Sequence, residues 1–270
     1  MLSELRQQEI INLLEAEGSV KTSALCEKFS ISRETIRRDL ESLEERKLVR
    51  RIHGGAMKVE HSAYDTSPLY ATFDQRTQAY CQEKQIVAWE AVKYIEDGQA
   101  IVLDSGTTAL ELARVLKTKK FCSLTVVTNS FSIASELLDT EGITLVITGG
   151  VYRPEERALT SDLATLIFSK INIDILFLTT CGVSVERGIT YQRIDEVVVQ
   201  KKMMEASEKT IVIADSSKIG SNSMVKMCGI EKASMIITDS KADPEQIEHL
   251  HAAGVPVVIA EERREDLHEL

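Results

Sequence analysis

The sequence predicts an α/β protein in two parts, a small N-terminal winged helix-turn-helix and a larger, mostly parallel α/β domain. Three observations predict it. The chain has 270 residues, above the usual size of one domain. Its first part carries helical periodicity that ends in a short basic hairpin. From residue 85 on, near-continuous apolar segments alternate with amphipathic ones, the pattern of a parallel sheet covered by helices. The expected boundaries are 1–59 for the winged unit, 60–84 for a linker and 85–270 for the α/β domain.

The elements follow in order. Leu5, Ile10, Leu13 and Leu14 recur at helical spacing, and Gly18 stops the pattern. Residues 21–29 read as a second short helix, with Thr22 as a possible N-cap and Leu25 and Phe29 as an apolar pair. Ser30-Ile31 is a tight connection, and Ser32 suits the N-cap of a third helix. In that helix Ile36, Leu40 and Leu43 fall on one face, which sends Glu34, Arg38, Glu41 and Glu45 outward and leaves Thr35 and Arg37 flanking them. Lys47–Ile52, a His53-Gly54-Gly55 turn and Ala56–Val59 make a hairpin. Such a unit presents its third helix to the DNA major groove. Arginine forks suit guanine edges and phosphates. The candidate DNA-contacting residues are Ser32, Arg33, Thr35, Arg37, Arg38, Arg51 and His53.

Charge supports this placement. The net charge is −10, yet residues 33–58 hold eight basic against five acidic side chains. The acidic remainder repels a phosphate backbone and so favours one docking orientation. A basic run is ordinarily just a solvated helix face; here it coincides with a helix that follows a tight turn and precedes a basic hairpin.

Composition excludes other classes. With 43% hydrophobic and 27% charged residues, 13 Gly and 4 Pro, the chain is not disordered, collagen-like or coiled-coil. No apolar run approaches the roughly 18–20 residues that cross a bilayer. The opening residues Met1–Arg6 are charged and carry no signal-peptide pattern, so the expected location is cytoplasmic. Cysteines at 26, 81, 122, 181 and 228 are too widely spaced for a local zinc motif. They read as reduced thiols, and neither a metal nor a cofactor is expected.

Residues 60–84 lose periodicity and read as an exposed connection, with one short helix near its end. Beyond it, strands are expected at 100–103, 124–128, 144–148, 173–178, 210–214, 235–238 and 255–259, with helices at 86–95, 108–116, 132–138, 162–169, 196–208 and 244–252. Ligands of such sheets bind at the carboxyl ends of strands. Those ends read Asp104-Ser105-Gly106-Thr107-Thr108, Thr128-Asn129-Ser130, Thr148-Gly149-Gly150 with Arg153 behind, Thr179-Thr180-Cys181-Gly182, and Asp215-Ser216-Ser217-Lys218. The first runs into a helix whose free N–H groups suit an anion. Any one of these could be an ordinary cap or turn; five at one edge are better explained by one polar pocket. The candidate effector-binding residues are Asp104, Ser105, Gly106, Thr107, Thr108, Thr128, Asn129, Ser130, Gly149, Gly150, Arg153, Gly182, Asp215 and Lys218.

Gly18-x-Val20, Phe29-Ser30-Ile31-Ser32, Thr35-Ile36-Arg37-Arg38-Asp39-Leu40 and His53-Gly54-Gly55-Ala56 resemble the N-terminal signature of DeoR-type bacterial transcriptional regulators. The resemblance continues through Phe73-x-x-Arg76, Glu83-Lys84, Leu103-Asp104-x-Gly106-Thr107-Thr108, Val127-Thr128-Asn129-Ser130, Gly149-Gly150, Gly188-x-Thr190 and Asp215-x-Ser217-Lys218, and covers nearly the whole chain. It implies an effector domain related in fold to ribose-phosphate isomerases, with a phosphorylated sugar or related metabolite as effector. It also implies a repressor of a carbohydrate-metabolism operon. Two positions depart from the family: Ser161 replaces a usual glycine, and Gln200 stands where lysine is common.

The competing class is a sugar-phosphate isomerase, which needs a positioned carboxylate base. The isomerases of this fold carry an acidic loop at the fourth strand; here that stretch reads Cys181-Gly182-Val183-Ser184-Val185, without a carboxylate. Asp104, Asp215 and Glu196 remain, but carboxylates beside a polar pocket also serve as acceptors for sugar hydroxyls. A nucleophilic Cys181 has no histidine nearby in sequence. The expected partners are double-stranded operator DNA, a small phosphorylated metabolite and further copies of the chain, with no membrane.

Overall fold

The computed structural model describes residues 6–7, 9–11, 13–14, 19–29, 31–45, 49–52, 54–58 and 71–261. Leu5, Gly18, Ser30, Lys47, Leu48, His53, Val59 and the stretch 60–70, all used in the sequence reading, lie outside the described residues. The chain divides into two compact units, Met1–Ser67 and Pro68–Leu270.

In the first unit residues 6, 7, 9–11, 13 and 14 are helical and form α1. Then come β1 (Ser19–Lys21), α2 (Thr22–Phe29), α3 (Arg33–Glu45), β2 (Val49–Ile52) and β3 (Gly55–Lys58). The core joins Ile10 and Leu14 of α1, Leu25 of α2, Ile36, Leu40 and Leu43 of α3, and Val49 and Ala56 of the hairpin. This is the stripe that the helical spacing predicts. The Thr35 amide donates to Ser32 Oγ at 3.2 Å, so Ser32 caps α3 as expected. Beneath the helices, Arg6 Nε donates to Asp39 Oδ2 at 2.6 Å, and its NH2 donates to Oδ1 at 3.1 Å. Both side chains are buried, so a two-pronged ion pair ties α1 to α3.

Strand β1 was not expected. It adds to β3, giving the order β1-β3-β2, antiparallel throughout. Three residues with one apolar side chain, Val20, leave no alternation to read. Gly55, expected in the turn, opens β3 opposite Lys21. A Cβ there would stand 2.1 Å from the Val20 carbonyl oxygen, so only glycine lets β1 approach the wing.

The second unit is built on seven parallel strands: β4 (Ala100–Leu103), β5 (Leu124–Thr128), β6 (Ile143–Ile147), β9 (Ile173–Leu178), β12 (Ser207–Ile213), β14 (Met235–Asp239) and β15 (Val257–Ala260). Their order is β15-β14-β12-β9-β4-β5-β6, and every pairing is parallel. All seven expected strands are present, within a few residues. One face packs Ile101, Leu103, Ile175 and Phe177 against α5 (Cys81–Ala91) and α6 (Thr107–Thr118). The other packs Val102, Leu176, Leu178 and Val212 against α9 (Ile194–Glu205). Alternate residues of one strand therefore enter different cores, which explains the near-continuous apolar runs. The remaining helices are α7 (Phe131–Leu137), α8 (Asp162–Thr165), continued by a 3-10 turn Leu166–Ser169, and α10 (Pro244–Ala252).

The assignment of 60–84 to a linker needs correction. Residues 73–84 belong to the second unit: α4 (Phe73–Gln78) and the start of α5 lie there, and Phe73 is in the core beside Val87. Helix α4 has one apolar residue in six, too few to show a period. It is recognisable by its cap, since Thr72 and Gln75 exchange side-chain and backbone hydrogen bonds. Two small antiparallel pieces were also not expected. They are the hairpin β7 (Val151–Arg153)–β8 (Ala158–Thr160), and a sheet of β10 (Gly182–Ser184), β11 (Gly188–Tyr191) and β13 (Val225–Cys228).

Ser161 explains its own oddity. It begins α8 at φ 86°, ψ 172°, a region that is essentially glycine's. Its Oγ is buried without a hydrogen-bond partner among the described residues. Ser161→Gly removes strain of about 1–3 kcal/mol and an unsatisfied hydroxyl, against about 1 kcal/mol of added chain entropy. The expected result is a melting temperature higher by about 2–4 °C. Trp89, the single tryptophan, is buried in this unit, and its fluorescence reads the transition. An unchanged or lower midpoint would contradict the strain.

Candidate functional site

Helix α3 faces outward with Arg33, Glu34, Arg37 and Arg38 exposed, while Ile36, Asp39 and Leu40 are buried. The two central arginines differ. Arg37 lies between carboxylates: its NH2 donates to Glu34 Oε1 at 2.8 Å and its NH1 to Glu41. Glu34 is held down at about 2, chiefly by that hydrogen bond, so it is ionised at any working pH. The Arg38 side chain is 75% exposed, against 50% for Arg37, and reaches Glu34 only at 3.4 Å. Arg38 is the readier of the two to meet a phosphate or a base edge. Ser32 and Thr35 share a hydroxyl contact of 2.9 Å at the exposed start of the helix. His53 lies outside the described residues; Arg51 lies on β2, with its side chain outside them.

In the second unit chain order reverses between β4 and β9, the switch point beside which α/β sheets hold ligands. Asp104 leaves β4 there, 1% exposed. Its Oδ2 accepts from the Thr179 amide at 3.2 Å, from Thr179 Oγ1 at 2.6 Å and from the Tyr191 hydroxyl at 3.3 Å. Its Oδ1 accepts from Gln200 Nε2 at 2.9 Å. The carboxylate therefore clamps β4, β9, β11 and α9 together. Gly106 follows at the N-cap of α6, and a Cβ there would lie 2.2 Å from Thr179 Oγ1. Because this cap residue has no side chain, the first turn of α6 carries no side-chain cap. Its N–H groups and the positive helix end are left for an anion. Ser105 and Gly106 are partly open to solvent there.

Cationic groups gather near this edge. Lys84 of α5 is 3% exposed, and its Nζ donates to the Arg76 and Ala79 carbonyls. Burial lowers its pKa, Asp215 opposes that, and Lys218 and Arg76 add to the lowering. Glu196, on the first turn of α9, is pushed up to about 8, first by burial and then by Glu156 and Asp104, against Arg76 and Arg193. Burial also pushes the Cys181 thiol up to about 11, so it is protonated at neutral pH and is no nucleophile.

The candidate residues thus separate. Ser105, Gly106, Thr107 and Thr108 form the approach to α6 and its first turn, while Asp215 and Lys218 lie within electrostatic reach of Lys84. Asp104 is consumed by its clamp. Thr128 is spent on the Leu103 carbonyl at 2.7 Å, and Ser130 caps α7 through the Ile133 amide. These three hold the edge rather than face a ligand. Asn129 donates to the Leu159 carbonyl at 3.0 Å, while its Oδ1 is buried and unpartnered among the described residues. Gly149 and Gly150 lead into the β7–β8 hairpin, whose Arg153 pairs with Asp195 at 3.6 Å. The Gly182 carbonyl accepts from the Thr180 and Thr190 hydroxyls. Sequence reasoning left Arg76, Lys84, Tyr191, Glu196 and Gln200 out of the site. Phe73-x-x-Arg76, Glu83-Lys84, Glu196 beside the expected pocket and the departure at Gln200 were visible signals; Tyr191 comes from an element that no strand-end rule selects. Among the described residues no group of three or more His, Cys, Asp or Glu is placed to hold a metal ion.

Two family models match: a DeoR-like helix-turn-helix domain over residues 6–62 and a DeoR C-terminal sensor domain over residues 80–240. An uncharacterized HTH-type transcriptional regulator, YulB, of Bacillus subtilis is 34% identical over 95% of this chain and 96% of its own. The glycerol-3-phosphate regulon repressor of Escherichia coli K12 is 29% identical over 87% of this chain and 90% of its own. Among solved structures, ribose 5-phosphate isomerase A from Methanocaldococcus jannaschii is similar at 19% identity and a TM-score of 0.37, covering 50% of this chain and 52% of that one. The helix-turn-helix implies DNA binding, and the sensor domain implies a small-molecule effector. The matched families and curated relatives are regulators, not enzymes. The chain belongs to the DeoR family of transcriptional regulators.

Proposed function

We propose that this regulator represses a carbohydrate-metabolism operon under the control of a phosphorylated sugar or related metabolite. The observation that carries the effector class is the side-chain-free cap at Gly106, which leaves the α6 N-terminus for an anion, with Lys84 and Lys218 near the same edge. The role of one relative, repressor of a glycerol-3-phosphate regulon, agrees with a phosphorylated ligand. The winged unit binds double-stranded operator DNA in the cytoplasm, with α3 in the major groove. Among the described residues no helix is long and apolar enough to cross a membrane. One reading helix contacts too few base pairs for high specificity, so the working species is a homo-oligomer. The effector acts by binding two states of that oligomer unequally, which changes the spacing of the reading helices.

The test is selection of genomic fragments on the purified chain at near-physiological salt, because non-specific binding depends steeply on salt. Enrichment of a few sites is the expected result. With such a fragment, Arg38→Ala is expected to weaken binding by about 10-fold to 100-fold with an unchanged melting temperature. Arg37→Ala is expected to cost less, because Arg37 must first leave Glu34 and Glu41. Unchanged affinity in both variants would exclude α3 as the reading helix.

A further inference from the structure

Helix α9 runs from the carboxyl edge of the sheet back to the start of β12. Its first turn therefore stands at the ligand edge. Glu196 and Gln200 are four residues apart and share one face. Gln200 is 2% exposed and gives its Nε2 to Asp104, while its Oε1 has no partner among the described residues. Glu196 lies one turn nearer the mouth. It is half-buried, makes no hydrogen bond or ion pair with a described residue, and its oxygens are not sealed from solvent.

The groups that face Glu196 come from several elements. They are Glu156 between β7 and β8, Asp104 after β4, Arg76 of α4, Arg193 at its own N-cap, and the Cys181 and Tyr191 side chains. Arg76 is already paired with Glu156, and Arg193 with Asp195. A half-buried carboxyl among two other carboxylates, with the nearby cations engaged, is held as the neutral acid at pH 7. It can then donate to an uncharged oxygen, and the same carboxylates repel a second phosphate.

Resting on the phosphorylated-effector reading, we propose that Glu196 is a specificity-determining residue: it donates a hydrogen bond to a hydroxyl or carbonyl at the unphosphorylated end of the effector and excludes bisphosphates. The phosphate takes the α6 end of the site and the neutral end takes Glu196.

The test follows ligand-induced stabilisation of the full chain by Trp89 fluorescence. The probes are ribose 5-phosphate, fructose 6-phosphate, fructose 1,6-bisphosphate and inorganic phosphate, each at pH 7 and pH 9, where phosphate monoesters stay dianionic. At least one monophosphate is expected to bind the wild type more tightly than the bisphosphate or inorganic phosphate does. Its affinity is expected to fall by up to about 10-fold from pH 7 to 9, as Glu196 loses its proton. Glu196→Gln mimics the neutral acid and is expected to keep the pH 7 affinity and lose the slope; Glu196→Asp is expected to lose affinity at both pH values.

A ligand-free control follows from linkage. The folded carboxyl binds its proton more tightly than the unfolded one, so the wild type loses stability as pH rises from about 4.5 towards 8, and Glu196→Gln does not. A monophosphate that binds with the same pH slope in Glu196→Gln overturns the role of Glu196 alone, as does a preference for the bisphosphate. Failure of every monophosphate overturns this proposal together with the phosphorylated-effector reading.

Discussion

Asp39→Ala is expected to abolish operator binding by unfolding the winged unit while the second unit melts normally. The reason is local. Asp39 sits in the motif Thr35-Ile36-Arg37-Arg38-Asp39-Leu40, between two exposed arginines and the core, and its side chain points inward. It accepts from Arg6 Nε at 2.6 Å and from Arg6 NH2 at 3.1 Å. This lashes the first helix to the reading helix across 33 residues of sequence. Removing the carboxylate takes this two-pronged partner from a buried guanidinium, at a cost of about 3–5 kcal/mol. A unit of this size has a total stability of only about 3–9 kcal/mol, so a third or more disappears. Far-UV circular dichroism should lose helix near 37 °C, while Trp89, which reports only the second unit, should keep its midpoint. Asp39→Asn keeps one acceptor and should fall between. Replacing both partners by apolar residues of similar volume should recover much of the fold, since the pair's desolvation cost is then removed as well. If Asp39→Ala lost DNA binding with the unit fully folded, the residue would be a DNA contact and the clamp would be irrelevant.

That result separates two kinds of residue which one motif presents side by side. In sequence, Arg37, Arg38 and Asp39 are all charged, and a 100° rotation per residue places them on different faces. The period says which positions face the core; it does not say that a carboxylate on the inner face has an arginine 33 residues away to meet. The apolar stripe of α3 was legible because Ile36, Leu40 and Leu43 repeat. The Arg6–Asp39 pair was not, because nothing local encodes a long-range ion pair. Strand β1 escaped notice for a related reason: its place is fixed by the missing Cβ of Gly55, across the sheet.

The larger unit shows the same division. Each strand of the parallel sheet carries its own signal in an apolar run, so all seven were legible, and the rule about carboxyl ends points to the edge at the β4–β9 switch point. Which polar residues at that edge are free was not legible. Asp104, Thr128 and Ser130 look like ligand groups in sequence, yet each is satisfied by the backbone or by a neighbouring element. Lys84, Glu196 and Gln200 arrive on helices, and the sequence, which marks each of them, does not say how they meet at that edge. The departures at Ser161 and Gln200 could be named from sequence. Their consequences, a strained backbone at one and an amide in the Asp104 clamp at the other, needed the fold.

Gly106→Ala is expected to remove the response to effector while operator binding persists. The backbone of Gly106 is extended, at φ −80° and ψ 164°, so alanine suits the conformation, and only space forbids it. The new Cβ would lie 2.2 Å from Thr179 Oγ1 and 2.5 Å from Thr179 Cβ. Thr179 cannot swing away cheaply, because its hydroxyl and its amide both bind Asp104, which Gln200 and Tyr191 hold in turn. The loop must therefore retreat from β9 and carry the first amides of α6 with it. Overpacking of this kind costs about 1–3 kcal/mol, which a unit of some 200 residues survives. The proposed anion site is less tolerant. Two charge-assisted hydrogen bonds, each worth about 1.5–3 kcal/mol, depend on where those amides point. Losing about 3 kcal/mol there weakens an effector by roughly 100-fold. The expected phenotype is a regulator whose operator affinity no longer changes at effector concentrations that shift the wild type's. Titration of the operator complex with that effector reads the loss, and Trp89 fluorescence confirms that the sheet remains folded. Thr179→Ser in the same background removes the methyl that also crowds the new Cβ, at 2.6 Å. It should return part of the response. A Gly106→Ala variant with a normal response to effector would mean that the effector's anion binds away from the α6 terminus.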